Sequence, residues 1–147
     1  MQNKLFKVVL FAASVCLLQL NANAQQKVQW LRSATQAAEV AKKTGKPILV
    51  YVRSASCVWC DRMQKDVWEN PQAAGVISQQ FVPLKLTREQ NAEALQALQV
   101  KGFPATIVFS ADKKYLHKID GYVNSSEFIQ EMQKIRSASS RRTVFSR

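Results

Sequence analysis

The 147 residues carry 21 Lys and Arg against 10 Asp and Glu, a net charge of +11, with 47% apolar residues and three cysteines. The cysteines are too few for the disulfide framework of a small secreted scaffold, so the fold must stand on an apolar core. The positive charge suits anionic surfaces or acidic partners. It is not clustered as a nucleic-acid footprint would be, and nucleic acid is set aside as a ligand.

Residues 1–24 read as an export signal. Lys4 and Lys7 form a positive start, Val8 to Leu20 an apolar stretch interrupted by Ser14 and Gln19, and Ala22-Asn23-Ala24 a small-X-small cleavage site. The stretch is short for a membrane span, which disfavours an uncleaved anchor. Lipid attachment at Cys16 is disfavoured by the bulky Val15 before it. Cleavage after Ala24 leaves 123 residues, with 19 basic against 10 acidic side chains and a charge of +9. That is enough chain for one domain with a real core. Cys57 and Cys60 are then its only cysteines. The protein is expected in the periplasm, or secreted where there is none.

Val28 to Leu31 is a short apolar start, with Trp30 a lid on the core. Ser33 and Gln36 form a capping box ahead of Ala34, Ala37, Ala38 and Ala41 at helical spacing. Lys42 and Lys43 suit the last turn, and Gly45 the stop. Pro47 opens a strand, Ile48 to Val52, apolar at every position as in a strand covered on both faces. After the cysteines, Met63 and Val67 continue a stripe with Cys60. Asn70-Pro71 starts a short helix through Ala74 and Ile77.

Phe81 to Leu86 is the next strand, and Pro83 places it at an edge or an irregular position. Thr87 with Gln90 offers another capping box, leading a helix whose buried stripe is Ala92, Leu95 and Leu98. Gly102-Phe103-Pro104 breaks the chain before the strand Ala105 to Phe109. Asp112-Lys113-Lys114 is a turn, Tyr115 to Ile119 a less buried strand, and Gly121 a bend. Asn124 and Glu127 start the last helix, with Phe128, Ile129, Met132 and Ile135 on its apolar face. Periodicity is lost from Ser137, and residues 137–147 read as a basic, Ser/Arg-rich, disordered or loosely docked tail. This order gives an α/β fold: a mixed sheet of four to five strands, part parallel and part hairpin, flanked by helices.

Cys57-Val58-Trp59-Cys60 sits where the first strand gives way to a helix. Cys-X-X-Cys at such a junction reads as a redox pair. The free N–H groups and positive dipole end of a helix favour thiolate at the first sulfur. A zinc site usually needs four ligands, and the mature chain adds only His117, far along on another strand and read as a solvent-facing strand residue. A structural disulfide is the remaining bland alternative. Trp59 is expected to be exposed beside the reactive sulfur, either as part of an apolar docking surface or packed on its own helix. Asp61 opposes thiolate formation nearby, and Arg53 and Arg62 favour it.

Together with Gly45-Lys46-Pro47, Met63, Phe81-Val82 and Gly102-Phe103-Pro104-Ala105-Thr106, the motif resembles the thioredoxin superfamily over residues 28–136. It is most similar to exported bacterial domains of the thioredoxin-7 type. The resemblance implies a thioredoxin-like domain over residues 25–136, a cis peptide bond before Pro104, and Pro104 beside the cysteines. It also implies that Phe103 offers backbone hydrogen bonds to an extended substrate. Three positions depart from thioredoxin: Tyr51 stands where a buried Asp is expected, Ser56 replaces the Trp before the first Cys, and Val58-Trp59 replaces Gly-Pro. Tyrosine, with an ordinary pKa of about 10, is a poor base at neutral pH.

The expected activity is thiol–disulfide exchange with protein thiols and disulfides. Cys57 attacks and Cys60 resolves; Trp59, Phe103 and Pro104 contact substrate. No metal or organic cofactor is implied. A membrane electron-transfer partner is the resemblance-based expectation for resetting the pair, and a monomer the expected state. The rival is a protein-binding module whose Cys57–Cys60 disulfide is inert.

Overall fold

The computed structural model describes residues 27–144. The export signal, with Lys4, Lys7, Cys16 and Ala22-Asn23-Ala24, lies outside the described residues. In chain order the elements are α1 (Ala34–Thr44), β1 (Ile48–Arg53), α2 (Val58–Met63), a π-helical turn (Gln64–Trp68), α3 (Pro71–Gln80), β2 (Val82–Thr87), α4 (Ala92–Ala97), β3 (Ala105–Phe109), β4 (Tyr115–Asp120) and α5 (Ser125–Val144).

The four strands form one mixed sheet in the order β2-β1-β3-β4. β1 runs parallel to β2, from Ile48 opposite Val82 to Arg53 opposite Thr87. It runs antiparallel to β3, with Ile48 opposite Phe109 and Val52 opposite Ala105. β3 and β4 form the antiparallel hairpin. β1 is thus flanked by strands on both sides, and its side chains alternate between two cores. Leu49 and Tyr51 join Met63, Trp68, Ile77 and Phe128 on one face. Ile48, Val50 and Val52 join Ala37, Ala41, Leu84 and Ile107 on the other. That two-sided burial is why the strand is apolar throughout. Each large side chain withdrawn this way contributes about 1.5–3 kcal/mol.

Local chemistry fixes the ends of the elements. Ser33 Oγ accepts from the Gln36 N–H at 3.3 Å. Gly45 closes α1 with φ +68°, its N–H donating to the Ala41 carbonyl. Asn70 Oδ1 accepts from the N–H groups of both Gln72 and Ala73. Asn124 and Glu127 complete a reciprocal capping box at the start of α5. Pro83 lies on the outermost strand, β2, as its missing N–H demands. Its carbonyl accepts from Leu31, and Lys85 donates back to the Leu31 carbonyl, so the segment before α1 covers that edge.

Two expectations are corrected. Thr87 does not cap α4: its own N–H donates to Asn91 Oδ1 at 3.0 Å, closing a turn that delays the helix to Ala92. Nor does the chain leave helical structure at residue 137, because α5 continues to Val144. Ser and Arg weaken the apolar stripe, but neither breaks a helix as Gly or Pro would. Ser137 Oγ donates back to the Gln133 carbonyl, a bond compatible with helix.

Candidate active site

β1 delivers the chain to Cys57. The intervening loop is braced from the turn after β2: the Ala55 N–H donates to Glu89 Oε1 at 2.9 Å, and the Arg88 N–H to the Arg53 carbonyl. The bond from Ala55 is the main reason the Glu89 carboxyl is held below its ordinary range. Cys57 is the N-cap of α2, with extended backbone, and its Sγ accepts from the Cys60 N–H at 3.1 Å. Cys57 and Cys60 are joined as a disulfide, their Cα atoms 5.2 Å apart. Cys57 is half-buried and Cys60 fully buried. The first cysteine is therefore partly accessible and the second is covered by the core. The donor aimed at the Cys57 sulfur would favour its thiolate once the bond is reduced.

The nearby charges are paired. Arg53 Nη2 contacts Asp61 Oδ1 at 2.9 Å, and Arg62 Nε contacts Asp66 Oδ2 at 3.3 Å. Pairing with Arg53 offsets the charge by which Asp61 would oppose a thiolate.

Behind Cys60 lies Tyr51, fully buried. Its hydroxyl donates to the Cys60 carbonyl at 3.3 Å. Its ring packs between Trp30 and Trp68, at centroid distances of 5.6 and 4.7 Å. Burial pushes the phenol pKa up. The Trp68 indole N–H, near the phenol oxygen but outside hydrogen-bond geometry, pulls the other way more weakly, as does Arg53. Tyr51 thus stays protonated at neutral pH and serves as a donor, not a base. The Lys85 ammonium lies 5.7 Å from the ring centre. Burial lowers the Lys85 pKa, helped by the charges of Arg53 and Arg32.

The Phe103-Pro104 peptide bond is cis. Val52 pairs with Ala105, so Pro104 lies at the sheet end where the cysteine loop leaves β1. Pro104 is buried and Phe103 half-buried. The Pro104 carbonyl accepts from the Gly121 N–H at 2.8 Å, whereas no described residue engages either backbone group of Phe103.

Trp59 is 53% exposed and Val58 81%. Trp59 is exposed, and its ring rests not on another ring of its own helix but against Tyr122 from beyond β4, centroids 5.6 Å apart at 42°. The Arg62 guanidinium lies over both rings, 5.6 and 5.1 Å from their centres. The Tyr122 hydroxyl donates to Asp66 Oδ2 at 2.6 Å. Tyr122 and Asp66 were not legible as site residues. The one available signal was the i,i+4 pair Arg62/Asp66; nothing local ties Tyr122 to residues more than fifty positions earlier. His117 stands apart on β4, its Nε2 3.4 Å from Glu131 Oε2 on α5.

Residues 9–139 match the family model Thioredox_DsbH, described as "Protein of unknown function, DUF255". Among curated relatives, an uncharacterized Caenorhabditis elegans protein, B0495.5, is 29% identical over 107 residues, 67% of this chain and 14% of that protein. The thiol:disulfide interchange protein DsbD of Tatumella citrea is 27% identical over 104 residues, 67% of this chain and 18% of that protein. The chain thus spans less than a fifth of either relative. A solved structure titled DsbH Oxidoreductase superposes with TM-score 0.70 at 19% identity, covering 80% of this chain and 90% of that one. The oxidised C-terminal domain of Neisseria meningitidis DsbD superposes with TM-score 0.60 at 16% identity, covering 72% and 98%. The sheet order, the flanking helices and the strand-to-helix Cys57–Cys60 pair agree with these likenesses, and the chain belongs to the Thioredox_DsbH family of the thioredoxin superfamily.

Proposed function

We propose that this protein is an exported thiol–disulfide oxidoreductase acting on protein substrates. The observation that carries the reading is the unequal placement of the disulfide partners: Cys57 half-buried at the helix start, Cys60 buried one turn in. In the reduced form, the Cys57 thiolate attacks one sulfur of a substrate disulfide. A Cys57–substrate bond forms, the substrate S–S bond breaks, and the other substrate sulfur leaves as a thiolate. The Cys60 thiolate then attacks Cys57 Sγ and releases the second substrate thiol. Two electrons pass to the substrate, and Cys57–Cys60 ends as the disulfide. The reverse sequence oxidises a dithiol. Proton removal from Cys60 falls to water or substrate, since Tyr51 is held as a donor. Trp59, Phe103 and Pro104 form the substrate contact, with the unengaged backbone of Phe103 available to an extended segment.

A membrane electron-transfer protein is the proposed reductant, supported by the likeness to DsbD. Export rests on the charge and apolar pattern of residues 1–24, and the working state is a monomer. The exposure of Val58 and Trp59 also suits a second reading, a binding module with an inert disulfide. Insulin reduction with a thiol as electron donor, alongside thiol titration, separates the two. Turnover and two titratable thiols after mild reduction support exchange; no turnover and a bond resistant to mild reductant support the module.

A further inference from the structure

Among the described residues the large apolar side chains left exposed are Val58, Trp59 and Tyr115. Two of the three lie between the cysteines. Adjacent exposed apolar side chains at a reactive centre offer a surface for contact with a partner. The Trp59 ring is not a free rotor there. Tyr122 backs it at 5.6 Å, and the Arg62 guanidinium lies over both rings. Tyr122 is itself anchored, its hydroxyl donating to Asp66 at 2.6 Å, and Asp66 also binds Arg62. Four side chains from α2, the π-helical turn and the end of the β4 hairpin therefore form one closed cluster. Its charges satisfy each other: Arg62 is paired with Asp66, and the adjacent Asp61 with Arg53. The outward surface beside Cys57 thus combines the apolar side chains of Val58 and Trp59 with charges that are already paired.

We propose that Tyr122 determines specificity by fixing Trp59 as an apolar wall beside Cys57, selecting disulfides whose cysteine is flanked by a large apolar residue. The inference rests on the redox reading above. The occupant follows from the chemistry of the first exchange. Bonding of a substrate sulfur to Cys57 Sγ, with departure of the other substrate sulfur as thiolate, brings the residues beside that sulfur against Val58 and Trp59. Consecutive Cα atoms are about 3.8 Å apart, so one residue's reach spans the wall. A flanking aliphatic or aromatic side chain would lose water against Trp59, while a serine or aspartate would gain nothing and meet no unpaired charge.

The test uses two peptide disulfides identical except for Leu or Ser beside the cysteine, with hydroxyethyl disulfide as a small reference. The pre-reduced protein is mixed with each, and the first exchange is followed by acid quench and mass spectrometry. The native protein is expected to favour the Leu peptide about threefold to tenfold, the range for burying about half of one Leu side chain. Tyr122→Ala should bring the ratio to about one, and Tyr122→Phe, which keeps the ring, should hold it within about twofold of native. Should Tyr122→Ala not fold, Trp59→Ala at its exposed position should lose the same preference. A native ratio near one, or a preference retained in Tyr122→Ala or Trp59→Ala, overturns the inference while leaving the redox reading intact. No reaction with either peptide or with hydroxyethyl disulfide defeats the redox reading itself.

Discussion

The Tyr51 hydroxyl donates to the Cys60 carbonyl across 3.3 Å, linking the centre of the sheet to the buried member of the cysteine pair. The same carbonyl already accepts from the Gln64 N–H within the helix. Tyr51 thus supplies a second bond to an acceptor with two lone pairs. It fills the position of a buried acid with a group that holds the helix and keeps its proton.

Removing the hydroxyl leaves the Cys60 carbonyl satisfied by Gln64. Tyr51→Phe should therefore cost about 0.5–1.5 kcal/mol, the net worth of one hydrogen bond and not the penalty of an orphaned group. Urea unfolding of the oxidised protein measures it. Tyr51→Asp asks the opposite question. A carboxylate there could take the Cys60 proton, so resolution of the mixed disulfide should quicken. An unchanged or slower rate with intact folding would mean that Tyr51 does not limit the step.

Asn70 caps α3 with two backbone donors, Ser33 caps α1 with one at 3.3 Å. Asn70→Ala should cost about 1 kcal/mol and Ser33→Ala less. Equal losses in denaturant unfolding would show that the second donor at Asn70 adds nothing.

Asp66 titrates below the ordinary carboxylate range, chiefly because Tyr122 donates to it, with Arg62 adding to the effect. A depressed folded-state pKa stabilises the protein above the unfolded value, about 4, and that stability is lost as pH falls through the folded value. Tyr122→Phe removes the principal cause. The melting temperatures of native and variant should differ by a constant amount above about pH 5 and converge as pH falls from about 4 through the folded value. A gap that stays constant from about pH 6 to well below about pH 4 would contradict the assignment.

The sheet, the caps at Ser33, Asn70 and Asn124, and the edge position of Pro83 were legible because each rests on local chemistry. The cysteine pair was legible for the same reason: its meaning lies in spacing and in the strand-to-helix junction. The π-helical turn from Gln64 to Trp68 was not, since it has no compositional mark. Thr87 misled because a Thr-X-X-Gln pattern fits a cap and a turn alike, and the Asn91 side chain decided for the turn. Ser137 misled because loss of an apolar stripe is not loss of helix. Tyr122 and Asp66 stand 56 positions apart, and only the tertiary fold brings them together.

Separate roles for the two cysteines are the central claim, and trapping tests them most directly. After residue 24 the chain has no cysteines except Cys57 and Cys60, so Cys60→Ser leaves attack possible and resolution impossible. Produced in its own cells and run on non-reducing gels, Cys60→Ser should accumulate mixed disulfides with protein substrates as bands of higher mass, and Cys57→Ser should trap few or none. Equal trapping by the two variants would contradict the roles assigned here, and trapping by neither, with substrates present, would contradict exchange itself.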